Sequence, residues 1–272
     1  MNPTILQTPL IRNEKKWYLL SIFYAREKWD ELIINIMNFY RMHTGLFSDY
    51  LFSLSALNGE HLQVTFASFD IGKDYTKDIQ SYFQSFLEQC PSNSSIQFPY
   101  GKVIWGNYPN NTLTWNRFRL PIYSDQYICF HQQTMRVALN LFDNDFSEEN
   151  IFSIGLYLIT KGLECVNITE QKSALIKILG EAALDSSNDM NLIKDTLFKM
   201  NINEICEAIE SYRNEDTSEY SPELIEWLNQ TRNYLNTVSF NVICHFICKV
   251  TGLTGFSHII IIEILYENFY NE

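Results

Sequence analysis

The sequence predicts an α+β fold, with a ferredoxin-like β-α-β-β-α-β unit at the N-terminus and a mainly helical layer behind it. Three observations carry this. Trp17–Tyr24 (W-Y-L-L-S-I-F-Y) is apolar and aromatic, which suits a buried strand, and it runs into Trp29, Ile33, Ile36, Met37 and Tyr40 at helical spacing. Tyr50–Leu57 and His61–Phe69 are two further strand-like runs joined by Asn58-Gly59, a hairpin signal because both residues tolerate the positive φ of a type I′ turn. From Gln132 onward the apolar pattern is helical to the end of the chain.

The remaining elements follow in order. The opening M-N-P-T-I-L-Q-T-P-L-I-R-N-E-K-K reads as a short irregular arm without signal-peptide character. After the hairpin, Asp70–Lys73 is a polar turn, and Tyr75, Ile79, Tyr82, Phe83, Phe86 and Leu87 form a second amphipathic helix ending near Cys90-Pro91, since Pro91 disfavours helical geometry at the residue before it. Phe98–Trp105 is the expected fourth strand, completing the β-α-β-β-α-β order. Gly106–Thr114 is a loop dense in turn formers, and W-N-R-F-R-L-P-I-Y-S-D-Q-Y-I-C-F-H is an extended, aromatic segment placed by Pro121 at a sheet edge or bulge.

Eight helices are then expected: Gln132–Phe142, Ser147–Leu163, Thr169–Leu184, Asn188–Met200, Asn203–Tyr212, Pro222–Thr237, Phe240–Thr251 and Phe256–Phe269. Ser147, Thr169 and Ser221 read as caps, the last followed by Pro222 at the favoured first helical position. The organisation implied is an α+β part over residues 1–130 and a helical part over 131–272, sharing one core.

Composition bounds the function classes. A chain of 272 residues with 46% hydrophobic residues buries a full core without disulfides, and a net charge of −12 argues against the broad basic surface that non-specific nucleic-acid binding requires. Six cysteines scattered through apolar segments read as reduced core thiols of a cytoplasmic protein. The most membrane-like run, His258–Tyr266, is too short to span a bilayer and contains Glu263. No P-loop, dinucleotide fingerprint, H-E-x-x-H, G-x-S-x-G or paired-cysteine zinc pattern occurs.

Few residues stand out for chemistry. His61 opens a hairpin strand; the residues alone favour a solvent-exposed strand end, with a cleft on the open sheet face as the alternative. His245 sits in S-F-N-V-I-C-H-F-I-C-K-V-T-G with apolar residues on nearly every side, which reads as a hydrogen-bonded core histidine or a titrating group in a pocket. Cys244 and Cys248, four apart on that helix, read as core thiols, because nothing completes a four-ligand metal set. Arg117, Arg119, Tyr123, Asp125, Gln126 and Tyr127 form a polar and aromatic string that suits either peptide contact or an exposed edge strand blunted by charge.

The order W-x-x-L-x-x-F-Y-A-R-x-x-W-D-E-L, a helix, an apolar strand and a turn into H-L-x-x-x-F resembles a domain found in two enzyme groups: the glutamate-elimination domain of class I lanthipeptide dehydratases and the stand-alone pyridine synthases of thiopeptide biosynthesis. In the eliminating members the hairpin strands resemble F-x-R-Y and H-L-R-x-R, whose arginines handle glutamyl carboxylates. Here the strands read L-F-S-L-S and H-L-Q-V-T-F, with Gln63 and Thr65 where basic residues would stand, and neither replaces a charge-assisted donor. The resemblance therefore leans to the pyridine synthases, with a stand-alone elimination subunit or a non-catalytic leader-binding partner as alternatives.

It implies a formal aza-[4+2] cycloaddition of two dehydroalanines in a dehydrated, thiazole-containing precursor, with loss of water and leader peptide. It implies no cofactor and no metal, a partner that is the precursor with its leader, no nucleic acid or membrane, and a monomer or homodimer. The segment around His245 resembles the family's H-M-x-x-N-R-L-x-G helix, one residue shorter to Gly252 and with Cys248-Lys249 near the Asn-Arg pair. By this resemblance His245, His61, Tyr123 and Ser55 are the proton-transfer candidates. Gln63 and Arg119 are expected to hold amide oxygens, and Arg117, Arg119, Gln126 and Tyr127 to contact substrate or leader.

Overall fold

The computed structural model describes residues 9–12, 14–55, 59–93, 108–115, 125–183 and 202–270. The fold is α+β. Two compact units are formed, one by Met1–Gln132 with Asn144–Ser147, the other by Gln133–Asp143 with Glu148–Glu272.

The first unit is built on strand β2 (Lys15–Phe23), which leads through a short 3-10 turn into helix α1 (Trp29–Met42). Trp29, Leu32, Ile33, Ile36 and Phe39 give α1 its buried stripe, each worth about 1.5–3 kcal/mol when fully buried. The hairpin follows as β3 (Phe47–Ser55) and β4 (His61–Ser68). Its last pair is Ser55 with His61, so five residues connect the strands, and Gly59 carries a φ of 112°. Asn58 lies outside the described residues. Helix α2 (Thr76–Gln89) stops with Cys90 as its C-cap, as Pro91 requires.

The described strand on the outer edge of β2 is β5 (Thr112–Trp115), within a stretch expected to be mostly loop; the strand expected at Phe98–Trp105 lies outside the described residues. The arm read as irregular contributes β1 (Leu10–Arg12), turned back onto β2 at Glu14, whose φ is 58°. The sheet is antiparallel throughout: β4 lies between β2 and β3, and β1 and β5 share the other edge of β2.

Side chains alternate across this sheet, and the two faces differ sharply. Tyr18, Leu20 and Ile22 pair with Phe66, Val64 and Leu62, which pair with Tyr50, Phe52 and Leu54. This face packs on α1 and α2 through a cluster of rings in which Phe39 meets Phe47, Phe66, Tyr82 and Phe83 at 4.8–5.7 Å. Trp115 joins it, donating its indole N–H to Gln80 of α2 at 3.2 Å.

The opposite face is covered at one end by the first part of α3 (Asp125–Phe142), up to Gln132, where Ile128 joins Trp17, Leu51 and Ala67. The string expected to be extended is thus helical from Asp125. Ile128, His131, Met135, Ala138 and Phe142 recur at 3–4 spacing, a helical stripe obscured in the sequence by the aromatic and β-branched residues around it. The His131 Nε2 and Gln132 Nε2 donate to the carbonyls of Phe52 and Tyr50 at 2.9 and 3.5 Å, occupying acceptors on edge strand β3.

The second unit contains the remainder of α3, then α4 (Glu148–Glu164), α5 (Ile168–Ala183), α6 (residues 202–213), α7 (Pro222–Leu235), α8 (Phe240–Thr251) and α9 (Gly255–Phe269). The helix expected at Asn188–Met200 lies outside the described residues. Ser221 caps α7 as expected, accepting from Leu224 N–H with Pro222 in the first turn, whereas α5 is preceded by Asn167, whose side chain accepts from Thr169 N–H. α4 faces α8 at Gly162, next to the Phe240 ring and Ile243. The fully buried Lys161 on α4 donates to Tyr212 O and Tyr220 OH and lies 3.5 Å from both Glu164 and Glu215. Burial works against its charge, but the Tyr220 hydrogen bond and the two carboxylates outweigh it, and the net pKa is raised. Among the described residues no helix is long and apolar enough to cross a membrane.

Candidate active site

The face of the sheet turned away from α1 and α2 carries polar side chains where a core would be apolar. Strand register places Thr112, Phe23, His61 and Ser55 in one row and Thr114, Ser21, Gln63 and Ser53 in the next, followed by Leu19, Thr65 and Leu51. Three residues singled out in the sequence, Ser55, His61 and Gln63, therefore share one face. Ser55 and His61 are directly opposite, with Cβ atoms about 5 Å apart by strand geometry, and Gln63 is one pleat away, about 7 Å along the strand.

His61 is buried, 4% exposed, rather than the solvent-exposed strand end that the residues alone favour. Its ring lies 4.7 Å from that of Phe23, which lies 4.7 Å from Tyr108 on its own account. The Nδ1 is 2.8 Å from the Gly59 carbonyl oxygen. A carbonyl only accepts, so Nδ1 bears the proton and the neutral ring keeps its lone pair on Nε2. Burial lowers the pKa, an effect that the Gly59 hydrogen bond only partly opposes. The outcome is a neutral imidazole, fixed in tautomer, with Nε2 free to act as a base.

The arm that leads into this row is held by polar contacts. Arg26 pairs with Glu60 at 3.2 Å, its backbone N–H donates to the same carboxylate at 3.0 Å, and its guanidinium lies over the Trp29 ring. Ser92 receives the Ala25 N–H and is itself bound by Asn110 and Asn111, which fixes the turn before β5. These residues explain the F-Y-A-R-x-x-W pattern as scaffolding around the hairpin tip.

In the helical unit, His245 lies on the exposed side of α8, with Phe246 and Ile247 buried beside it, so it is not the core histidine that the apolar sequence around it suggested. Its pKa is nevertheless lowered, first by partial desolvation and then by Lys249 one turn along. His258 of α9 is close enough to feel the charge of His245, and burial with that charge brings its pKa down to about 4. The Nε2 of His258 is buried without a hydrogen-bond partner. Cys244 and Cys248 are both held protonated by burial, the latter with its pKa pushed up to about 12. Among the described residues no group of three or more His, Cys, Asp or Glu could hold a metal.

No family model and no curated protein matches the chain. Among solved structures, TbtD, the pyridine synthase from thiomuracin biosynthesis, is similar with a TM-score of 0.61 and 13% identity, over 92% of this chain and 96% of that one. At this identity the likeness shows the fold.

Of the other residues singled out in the sequence, Gln126 and Tyr127 lie in the first turn of α3, the former exposed. Arg117, Arg119 and Tyr123 lie outside the described residues. Sequence reasoning missed Ser21, Ser53 and Thr114, which line up with Gln63, and His258. The alternation in L-F-S-L-S was a usable signal for Ser53, since both serines fall at positions of one parity beside Phe and Leu of the other. Two grooves of about 780 and 580 Å³ lie among the helices, and neither is lined by His245 or His258.

Proposed function

We propose that this chain is a pyridine synthase of ribosomal peptide biosynthesis, joining two dehydroalanines of a thiazole-bearing precursor in a formal aza-[4+2] cycloaddition. The observation that carries the reading is the neutral, polar sheet face with base-ready His61 opposite Ser55, in a chain with the fold of TbtD. A glutamate-eliminating site needs cations for a carboxylate, and the rows holding His61 and Gln63 contain none. The order β5, β2, β4, β3 with its two crossing helices supports reading the first unit as ferredoxin-like, with β1 as an added strand.

The reaction asks little of side chains beyond holding the two dehydroalanines together, and orientation alone contributes about 7–11 kcal/mol in the best intramolecular cases. The diene forms when an amide passes to its imidic form, losing a proton from nitrogen and gaining one on oxygen. His61 Nε2 accepts the first, the Ser55 hydroxyl gives its own proton to the oxygen and is reprotonated by His61, and the Gln63 amide holds that oxygen by a hydrogen bond. Two carbon–carbon bonds then close the ring: methylene to methylene, and imidic carbon to the second α-carbon. The imidic hydroxyl leaves as water with a returned proton, and the leader leaves as its carboxamide. His245 and Tyr123 are further proton carriers in this reading, and Arg117, Arg119, Gln126 and Tyr127 contact the leader. The protein works in the cytoplasm as a monomer or homodimer on the precursor with its leader attached, without cofactor.

The test is incubation with a dehydroalanine- and thiazole-containing precursor followed by mass spectrometry. Release of the leader carboxamide with a core lighter by that fragment and one water is expected. Turnover of a glutamylated peptide to dehydroalanine, with no action on the dehydrated precursor, would replace this reading by elimination.

A further inference from the structure

On the sheet face that holds His61, the row Thr114, Ser21, Gln63 and Ser53 crosses four strands in the order β5, β2, β4, β3. At about 4.8 Å per strand it spans about 14 Å, the length of about four residues of extended peptide. Among the described residues the side chains of Thr114, Gln63 and Ser53 make no hydrogen bond, although all three are half-buried. Their hydrogen-bonding capacity is thus left to water or a ligand, whereas the corresponding row on the other face, Leu113, Ile22, Leu62 and Leu54, is wholly apolar.

Among the described strand residues the first charged one on this face is Asp49, two rows beyond Gln63, and Lys15 neutralises it at 2.8 Å. An apolar partner would strip water from the three side chains without replacing its hydrogen bonds. A charged one would find no counter-charge among the described residues of these rows. An amide-rich, uncharged chain matches them, since hydroxyls and a primary amide each donate and accept.

We propose that Thr114, Gln63 and Ser53 form a binding strip for an uncharged, extended peptide segment, with Thr114 and Ser53 its specificity-determining ends. This deepens the proposed function, and rests on it only for the identity of the peptide as the core of the modified precursor. The strip seats the amides flanking the reacting dehydroalanines one pleat from His61 and Ser55, and it discriminates by penalising any acidic or basic residue placed over it.

The experiment uses the full chain and a synthetic dehydroalanine- and thiazole-containing core peptide without leader, together with the same peptide carrying one Asp between the dehydroalanines. Affinity is measured by calorimetry and thermal stability by scanning. The wild type binds the neutral peptide at least 10-fold more tightly than the Asp peptide. Ser53→Ala with Thr114→Val weakens neutral-peptide binding about 5- to 30-fold, the loss of two neutral hydrogen bonds. Tm does not fall, because these hydroxyls have no protein partner to lose.

Equal affinity of the double variant, absence of binding by the wild type, or a fall in Tm with unchanged affinity each overturns the strip. Binding with this pattern but no pyridine product from the leader-bearing precursor removes the proposed reaction and leaves the strip. Product formed from that precursor by the double variant at unchanged KM removes the strip and leaves the reaction.

Discussion

Replacing His61 by Phe separates its chemistry from its packing. The Phe ring retains the stack on Phe23 and loses one hydrogen bond, from Nδ1–H to Gly59 O. That bond is worth about 1 kcal/mol net, and the more apolar ring at a site 4% exposed recovers a similar amount, so stability should change by less than about 1 kcal/mol, or about 2–4 °C in Tm. Activity should fall about 10²–10⁴-fold, the usual contribution of a positioned general base. The pH dependence adds a second reading. The folded pKa lies below the ordinary 6.5 because burial disfavours the charged ring, so the rate should rise with pH through a midpoint below 6.5. By linkage, the stability due to a neutral His61 is complete above the unfolded pKa and is lost as pH falls through the folded one. The wild type should therefore lose stability relative to His61→Phe on acidification below about pH 6.5. Leader release followed by mass spectrometry across pH 5–8, with Tm recorded on the same samples, checks both. A His61→Phe enzyme that retains wild-type turnover, or a wild-type midpoint above 6.5, refutes the assignment of His61 as the base.

Two further outcomes are expected. Because His245 is exposed, His245→Phe should fold as the parent does, and under the proposed mechanism it should lower turnover about 10²–10⁴-fold; an undiminished rate moves the proton transfer wholly to the sheet face. Lys161→Met strands Tyr212 O and Tyr220 OH and removes the cation 3.5 Å from both Glu164 and Glu215, with Arg213 still acting on Glu164, which should destabilise the helical unit by about 3 kcal/mol; unchanged Tm would show that the two carboxylates simply hydrate.

Much of the architecture is legible in the sequence. Trp17–Tyr24, the Trp29 helix and the hairpin into His61 are local patterns, because period-2 and period-3.6 burial and the turn glycine act within a few residues. The same holds for Cys90-Pro91 ending α2, Ser221-Pro222 opening α7 and the bounds of α8. Local pattern failed where a neighbour decides. Thr112–Trp115 alternates polar and apolar over only four residues after a run of turn formers and becomes β5 by pairing with Leu20–Phe23, and Leu10–Arg12 becomes β1 only because β2 offers that edge.

The site shows the same division. The sequence alone determined that the hairpin strands carry serines, a histidine and a glutamine in place of cations, and so what charge a ligand over them could have. The tertiary structure alone decided that His61 is buried with its proton on Nδ1, that Ser55 stands opposite it, and that Ser53 and Thr114 extend the Gln63 row. It also placed His245 on the exposed side of α8, though its apolar surroundings had suggested a core. The physical reason is that a strand fixes which side chains share a face, whereas register depends on which residue of a neighbouring strand stands opposite, and tautomer on a backbone carbonyl whose direction only the folded turn sets.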